Sequence, residues 1–254
     1  MPEIQFTSEI TVELIDHMGS DARIAAAARV STRGALSKEQ PDEKEIAGLL
    51  NYLMKLRHGS PFEAGALTLY VHAPIFVWRE WHRHRIGFSY ADYGLDEGTL
   101  GQSFNEESGR YKQLDPVFYL PPRDRPMMKV EGWKPGRPKF LHCDDALTYR
   151  VLCDNLRRSC TLAYREYEKN LALGIDPGLA RDCLPVGIYS SCWVTANPRS
   201  LMAFLSLRTH EPAAKFVSYP LHEIEVAARK VETIFAEHWP LTHRAFCEQG
   251  RVGP

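Results

Sequence analysis

Hydrophobic and polar positions along the chain predict alternating stretches of strand and helix. Thr11-Val-Glu-Leu-Ile-Asp alternates with the period of a half-buried strand. Ala22 to Val30 is alanine-rich and predicts a helix ending near Ser31-Thr32. Pro41-Asp-Glu-Lys opens another helix, with acidic residues in its first turn and apolar residues at Ile46, Leu49, Leu50, Leu53 and Leu56. Leu67 to His72 predicts a strand. Pro74 then stands where a helix can begin, and Ile75 to Arg83 has helical spacing. Asp144 to Leu173 is the longest amphipathic stretch, closed by Gly174. A short helix over Pro177 to Leu184, a strand over Tyr189 to Thr195, and helices near Ser200–Arg208 and Tyr219–His238 complete the pattern.

Two segments lack periodicity. Tyr90 to Gln102, rich in Gly, Asp and Tyr, reads as a loop, and residues 121–142, with their prolines and basic residues, read as a second connection. Helices and strands mix without βαβ alternation, which predicts an α+β fold in one domain over residues 1–254.

Composition narrows the partners. Formal net charge is −1, so no global basic field recruits nucleic acid, and any polyanion must be held by a local cluster of cations. No stretch reaches the ~20 apolar residues of a membrane span. The start, Met1-Pro-Glu-Ile-Gln, lacks the features of a signal peptide. The six cysteines show neither Cys-x-x-Cys nor zinc-like spacing. The expectation is reduced thiols in a cytoplasmic protein without a metal.

The chemistry concentrates in two segments. Trp78-Arg-Glu-Trp-His-Arg-His-Arg-Ile-Gly sets Arg83, His84 and Arg85 in a row at a helix end. Ser103-Phe-Asn-Glu-Glu-Ser-Gly-Arg-Tyr111 gathers Ser, Asn, Glu and Arg around a glycine, where backbone N–H, hydroxyl and guanidinium groups can converge on a phosphate. Alone, the Arg-His-Arg run reads as a solvated basic helix end. With the second segment it reads as an anion site.

These residues resemble the flavin-dependent thymidylate synthases, which carry Arg-His-Arg followed by a serine in an Asn-Glu-x-Ser-x-Arg-Tyr setting. The corresponding residues here are Arg83-His84-Arg85 and Asn105-Glu106-Glu107-Ser108-Gly109-Arg110-Tyr111. Twenty-two residues separate Arg85 from Ser108, against seven in the family pattern, so an insertion is expected near Phe88–Gln102. The segments Ala28–Ser31, His58–Glu63, Ala73–Phe76, Ala180–Pro185, Asn197–Met202 and Leu205–Arg208 look like family segments in the family's order.

The resemblance implies an α+β fold with a mainly antiparallel sheet and long helices, and a homotetramer whose active sites draw on several subunits. It implies reductive C5-methylation of a uridine monophosphate, dUMP or UMP, with FAD as cofactor, methylenetetrahydrofolate as carbon donor and NADPH as reductant. Cofactor contacts fall to Ser31, His58, Ser60, Arg83, His84, Arg85, Asn197 and Arg199. Glu80, Arg83, Glu106, Ser108, Gly109, Arg110, Arg208 and a neighbouring subunit's Arg181 fall to the substrate. Arg208 and Ser108 carry the catalytic assignment, Arg208 by stabilising charge on the uracil ring. Glu106 orders its loop or touches flavin rather than serving as a base. Read without the resemblance, His58 is a core or capping histidine, and Arg208 a salt-bridge partner of Glu211 or Glu223.

Cys183 is the one cysteine tempting as a nucleophile, with Arg181 close in sequence, but the family needs none. The sequence also lacks a Gly-x-Gly-x-x-Gly fingerprint, which argues against a Rossmann site. In the second apparent insertion, after Arg208, Tyr219 and Leu221 stand roughly where the family has histidine and glutamine near its cofactor. The competing class is a nucleic-acid-binding module using Arg83–Arg85, Arg123–Arg137 and Arg157-Arg158, and a third is a purely structural helical assembly.

Overall fold

A computed structural model of the protein describes residues 3–33, 41–86, 102–132, 134 and 139–254. The loop expected over 88–102, with Tyr90, Asp92, Tyr93 and Asp96, lies outside the described residues except for Gln102, which begins a strand.

Eight strands and eight α-helices are assigned among the described residues. They are β1 (Gln5–Thr7), β2 (Thr11–Met18), α1 (Asp21–Arg33), α2 (Glu43–Lys55), β3 (Ala66–Pro74), α3 (Ile75–Trp81), β4 (Gln102–Glu106), β5 (Val117–Tyr119), β6 (Met128–Lys129) and β7 (Phe140–Leu141). The rest are α4 (Ala146–Ala172), α5 (Pro177–Ala180), β8 (Tyr189–Ala196), α6 (Pro198–Arg208), α7 (His222–His238) and α8 (Pro240–Glu248). The class is α+β, as the mixed pattern implied. Contacts divide the chain into two compact units, each assembled from separate segments: Met1–Thr11, His72–Arg79 and Glu106–Cys192 in one, Val12–Val71, Glu80–Asn105 and Trp193–Pro254 in the other.

The first unit is organised by α4. Asp145 caps this helix by accepting from the N–H groups of Leu147 and Thr148, and Gly174, at φ +78°, lets the chain turn back while its N–H reaches Leu171 O. The helix buries Cys160, Tyr164 and Tyr167 against Leu114, Phe118, Ala180 and Ile188. Both tyrosine hydroxyls serve the Leu114 backbone: Tyr164 donates to Leu114 O (2.7 Å) and Tyr167 accepts from Leu114 N (3.1 Å). Buried phenols need such partners, and here they anchor the segment just after Arg110. β1 pairs with β5 in parallel. The 121–142 connection carries a small antiparallel pair, β6 with β7, that its prolines concealed.

The second unit holds most of the four-stranded sheet, in order β2-β3-β8-β4. Thr68 faces Thr195 across hydroxyls 3.0 Å apart, whereas Ile75 N donates to Ile188 O, so β3 and β8 run antiparallel. The helices of this unit bury Ile46, Leu50, Leu53, Phe204, Val231, Phe235 and Phe246.

The start of α8 is fixed from a distance in sequence. The buried Asp21 carboxylate accepts from Leu241 N (2.9 Å), Thr242 N (2.9 Å) and Thr242 Oγ1 (2.6 Å). It thereby serves N–H groups that the helix cannot satisfy itself. Asp21→Ala leaves them buried and unpaired, and is expected to cost about 2 kcal/mol. The check is the midpoint of chemical unfolding; an unchanged midpoint would show that Asp21 contributes no net stability.

Candidate active site

Three groups of expected residues emerge, two in the second unit and one in the first.

The first group sits where α3 and α6 end. Arg208 Nε donates to His84 Nε2 (2.7 Å), Nη2 to Glu80 O (3.2 Å), and Nη1 lies 3.0 Å from Glu80 Oε2. Only 16% of the Arg208 side chain is exposed. His84 is buried, edge-on to Phe204 at 5.1 Å, and Trp81 stacks on the same phenylalanine. Burial and then the Arg208 charge push His84 down to about 4. Its imidazole is therefore neutral near pH 7, with Nε2 accepting and the proton on Nδ1. The run Arg83-His84-Arg85 thus presents two cations rather than three. Both arginines are exposed. The partner of Arg208 is Glu80 and not Glu211, which pairs with Arg229 (2.6 Å).

The second group surrounds a cavity of about 230 Å³ lined by Ala27, Ala28, Ser31, Leu53, His58, Ser60 and Pro61. Three expected cofactor residues therefore share one hollow. It is smaller than the ~300 Å³ at which drug-sized ligand sites begin, so it has room for part of a dinucleotide. His58 is exposed and stacks on Tyr52 at 6.3 Å, so it is not a core histidine. Next to Ser60 in sequence, Gly59 makes room for Arg199: a Cβ there would stand 2.6 Å from its Nε. Arg199 in turn pairs with Glu63 at 2.6 Å. Asn197 caps α6 by accepting from Ser200 N (2.8 Å).

The third group, in the first unit, follows β4. Ser108 Oγ accepts from Arg110 N (3.3 Å) and Nε (3.4 Å), and the Tyr111 N–H closes the turn onto Ser108 O. Gly109 is buried so tightly that a Cβ would come within 3.2 Å of Arg181 Cδ and 3.1 Å of Leu114. Arg181, which the resemblance assigns to a neighbouring subunit, thus packs beside Gly109 of its own chain. Glu106 accepts from Ser190 Oγ (2.6 Å), a contact consistent with ordering the segment. Sequence reasoning passed over Ser190, which carries no local signal, and Glu63, which stands in the His58–Glu63 segment.

Away from these groups, a cavity of about 970 Å³ beside α4 is lined by Gln113, Asp115, Arg165, Glu168 and others, and contains none of the expected residues. In the 209–218 segment His210 Nδ1 meets Ser218 O (2.7 Å), Ser218 Oγ donates to Leu207 O (2.6 Å), and Arg229 donates to His210 O (2.7 Å). Tyr219 packs on His210, and Leu221 precedes α7, which starts three residues later than the sequence pattern implied. No helix among the described residues is long and apolar enough to cross a membrane.

On an α+β scaffold, clustered arginines and a largely buried guanidinium held by a carboxylate and a neutral imidazole have the charge arrangement expected of an enzyme that handles an anion. Residues 13–241 match the family described as thymidylate synthase complementing protein. The flavin-dependent thymidylate synthase of Streptomyces avermitilis is 45% identical over 254 residues, covering 98% of this chain and 95% of that protein. That of Streptomyces coelicolor is 44% identical over 255 residues, with coverage of 100% and 97%. Among solved structures, the UMP/dUMP methylase PolB from Streptomyces cacaoi bound with 5-Br UMP superposes with a TM-score of 0.86 at 40% identity, covering all of both chains. The same methylase bound with 5-Br dUMP gives 0.87 at 42% identity, covering 99% of this chain and all of that one. The chain belongs to the flavin-dependent thymidylate synthase family, and it is an enzyme of that kind.

Two outcomes follow from this geometry. Cys183 Sγ donates to Ala163 O (3.5 Å) and Ala180 O (3.4 Å), so its S–H is engaged by backbone carbonyls. Cys183→Ala is expected to retain most of the turnover; complete loss in a folded, flavin-binding variant would make the thiol essential. His84 keeps its folded-state pKa below 6.5, so the unfolded chain binds the proton first. Stability from this residue is full above pH 6.5 and falls as pH drops toward about 4. His84→Gln should flatten unfolding free energy against pH in that window, and an unchanged slope would refute the assignment.

Proposed function

We propose that the protein catalyses FAD-dependent reductive C5-methylation of uridine monophosphates, accepting both dUMP and UMP. Methylenetetrahydrofolate is the carbon donor and NADPH the reductant. The observation carrying this reading is Arg208, a largely buried cation held by Glu80 and a neutral His84. Three of its five N–H donors are taken up by these contacts, which leaves two for a pyrimidine carbonyl. Charge developing on that carbonyl as the ring is attacked would meet a cation that needs no reorganisation.

The residues fit a flavin dinucleotide. Arg83 and Arg85 are exposed guanidinium groups suited to its phosphates, the Ser31–His58–Ser60 hollow admits part of the molecule, and Arg199 packs on Gly59, between His58 and Ser60 in sequence. Bound FAD, once reduced, supplies the hydride. The Ser108–Gly109–Arg110 turn is assigned to the nucleotide phosphate, where one hydroxyl and one guanidinium already lie within hydrogen-bond range of each other. Asn197 orients Arg199 through the cap of α6, and Glu106 orders the segment leading to Ser108.

Acceptance of both sugars is supported by the Streptomyces cacaoi enzyme, named for UMP and dUMP and solved with the 5-bromo derivative of each. The inserted segment is the proposed seat of that tolerance. A homotetramer with shared sites is supported by a stripe of exposed apolar residues, Leu147, Val151, Leu162 and Leu173, along α4 and its end.

The test begins with the visible spectrum of purified protein, followed by reduction with NADPH and addition of dUMP or UMP with methylenetetrahydrofolate. A bound flavin that reoxidises as methylated nucleotide appears is expected, with kcat/KM for the two nucleotides within about tenfold, or 1.4 kcal/mol. Arg208→Gln should lower kcat by about 100-fold or more. Failure to bind supplied FAD would overturn the activity, and strict rejection of UMP would overturn the dual specificity alone.

A further inference from the structure

Between the middle of α7, α8 and the residues just after α8, four ionisable side chains converge that are not among the expected site residues. Cys247 is exposed, with Sγ 3.7 Å from His243 Nε2 and 3.5 Å from Arg251 Nη1. The same His243 nitrogen lies 2.9 Å from Glu232 Oε1, and Arg251 Nη1 donates to that oxygen at 2.6 Å. Arg251 is fixed further by Nη2 to Thr209 Oγ1 (2.9 Å). Contacts to Cys247 and Glu232 raise His243 to about 9. Burial would raise Glu232, but its bonds from His243 and Arg251 hold it down at about 2. The thiol therefore faces an imidazolium and a guanidinium, and the imidazolium is held in place by a carboxylate.

Glu232, His243 and Cys247 also have the composition of a divalent-metal site, with ligand atoms within 4.8 Å of one another. Arg251, however, already lies within hydrogen-bonding distance of both Glu232 and Cys247, and its positive charge disfavours a metal cation there. A cation paired with a thiol stabilises the thiolate, the nucleophilic form. The other exposed cysteine offers an internal contrast: Cys183 faces two backbone carbonyl oxygens.

We infer that Cys247 is a thiol-exchange site that forms a mixed disulfide with low-molecular-weight disulfides. The Cys247 thiolate attacks one sulfur of R–S–S–R. The protein–S–S–R bond forms as the reagent's S–S bond breaks; the thiol's proton is lost to solvent, because His243 is already protonated, and the departing RS⁻ takes one up from solvent. The protein thiol is oxidised to the disulfide level and one R–S unit is reduced to a thiol, so the small disulfide is the oxidant and nothing else is required.

The test treats the native wild-type protein with oxidised glutathione, quenches by alkylation at intervals, and reads glutathione on each cysteine by peptide mass spectrometry. With a guanidinium and an imidazolium beside its Sγ, where Cys183 has two backbone carbonyls, Cys247 should be modified first, at least about threefold faster than Cys183. His243→Gln and Arg251→Gln should each slow Cys247 by a similar factor and leave Cys183 unchanged. If loss of the Thr209 contact unfolds Arg251→Gln, His243→Gln and the wild-type contrast still decide the matter. Equal rates at the two cysteines, or modification of Cys247 only in denaturant, would overturn the assignment.

Discussion

The contact on which the candidate site depends is the one between Arg208 and His84. A guanidinium this little exposed needs a counter-charge, and Glu80 provides one from the end of α3. The position beside its Nε is filled by an imidazole 2.7 Å away, which can accept only while it is unprotonated. Two cations at that distance in a poorly hydrated place would repel each other by several kcal/mol. Burial and Arg208 thus both drive His84 to the neutral form, and the neutral form is what lets it hold Arg208. The local packing serves the same end, since Phe204 contacts both His84 and Trp81 while Arg208 lies one helical turn further along α6.

A second set of charges acts differently. Arg229 ties Glu211 and Glu225 together and donates to His210 O, and Arg251 joins Glu232 to Thr209, the residue directly after Arg208. The half-exposed pairs of Arg229 contribute little stability one at a time, whereas the Arg251–Glu232 pair is largely buried. Their effect here is geometric, because they set where the chain goes once α6 ends. The 209–218 segment has almost no regular structure and is held by such contacts and by its own hydrogen bonds.

Elements with strong periodicity or a cap were legible in the sequence. The α2 start at Asp42, α4 between Asp145 and Gly174, and strands β2, β3 and β8 all lie within a few residues of their expected bounds. Strands β1, β5, β6 and β7 were not, being two or three residues long and defined by pairing rather than by any local pattern. α8 was missed for another reason: its N-terminus is satisfied by Asp21, more than two hundred residues earlier, so no nearby capping residue announces it. In the site, the ordered family segments brought Ser31, His58 and Ser60 into one set, and the fold gives them one cavity. The partner of Arg208 was not legible. Local reasoning looked to Glu211 and Glu223, whereas Glu80 is far away in sequence and reaches it only through packing.

With a net charge of −1, the chain has no long-range field for collecting anions, so recognition must be local. The arginines then divide by burial. Arg83 and Arg85 are exposed, where a guanidinium can adjust to a phosphate and loses much of its Coulomb energy to water. Arg208 is confined by Glu80 and His84 and cannot follow a ligand. A confined cation is poorly suited to catching a mobile anion and well suited to a charge that appears at one place for an instant. The division matches the two demands of the proposed reaction: holding phosphates for the length of a turnover, and stabilising charge on a pyrimidine only while its ring is attacked.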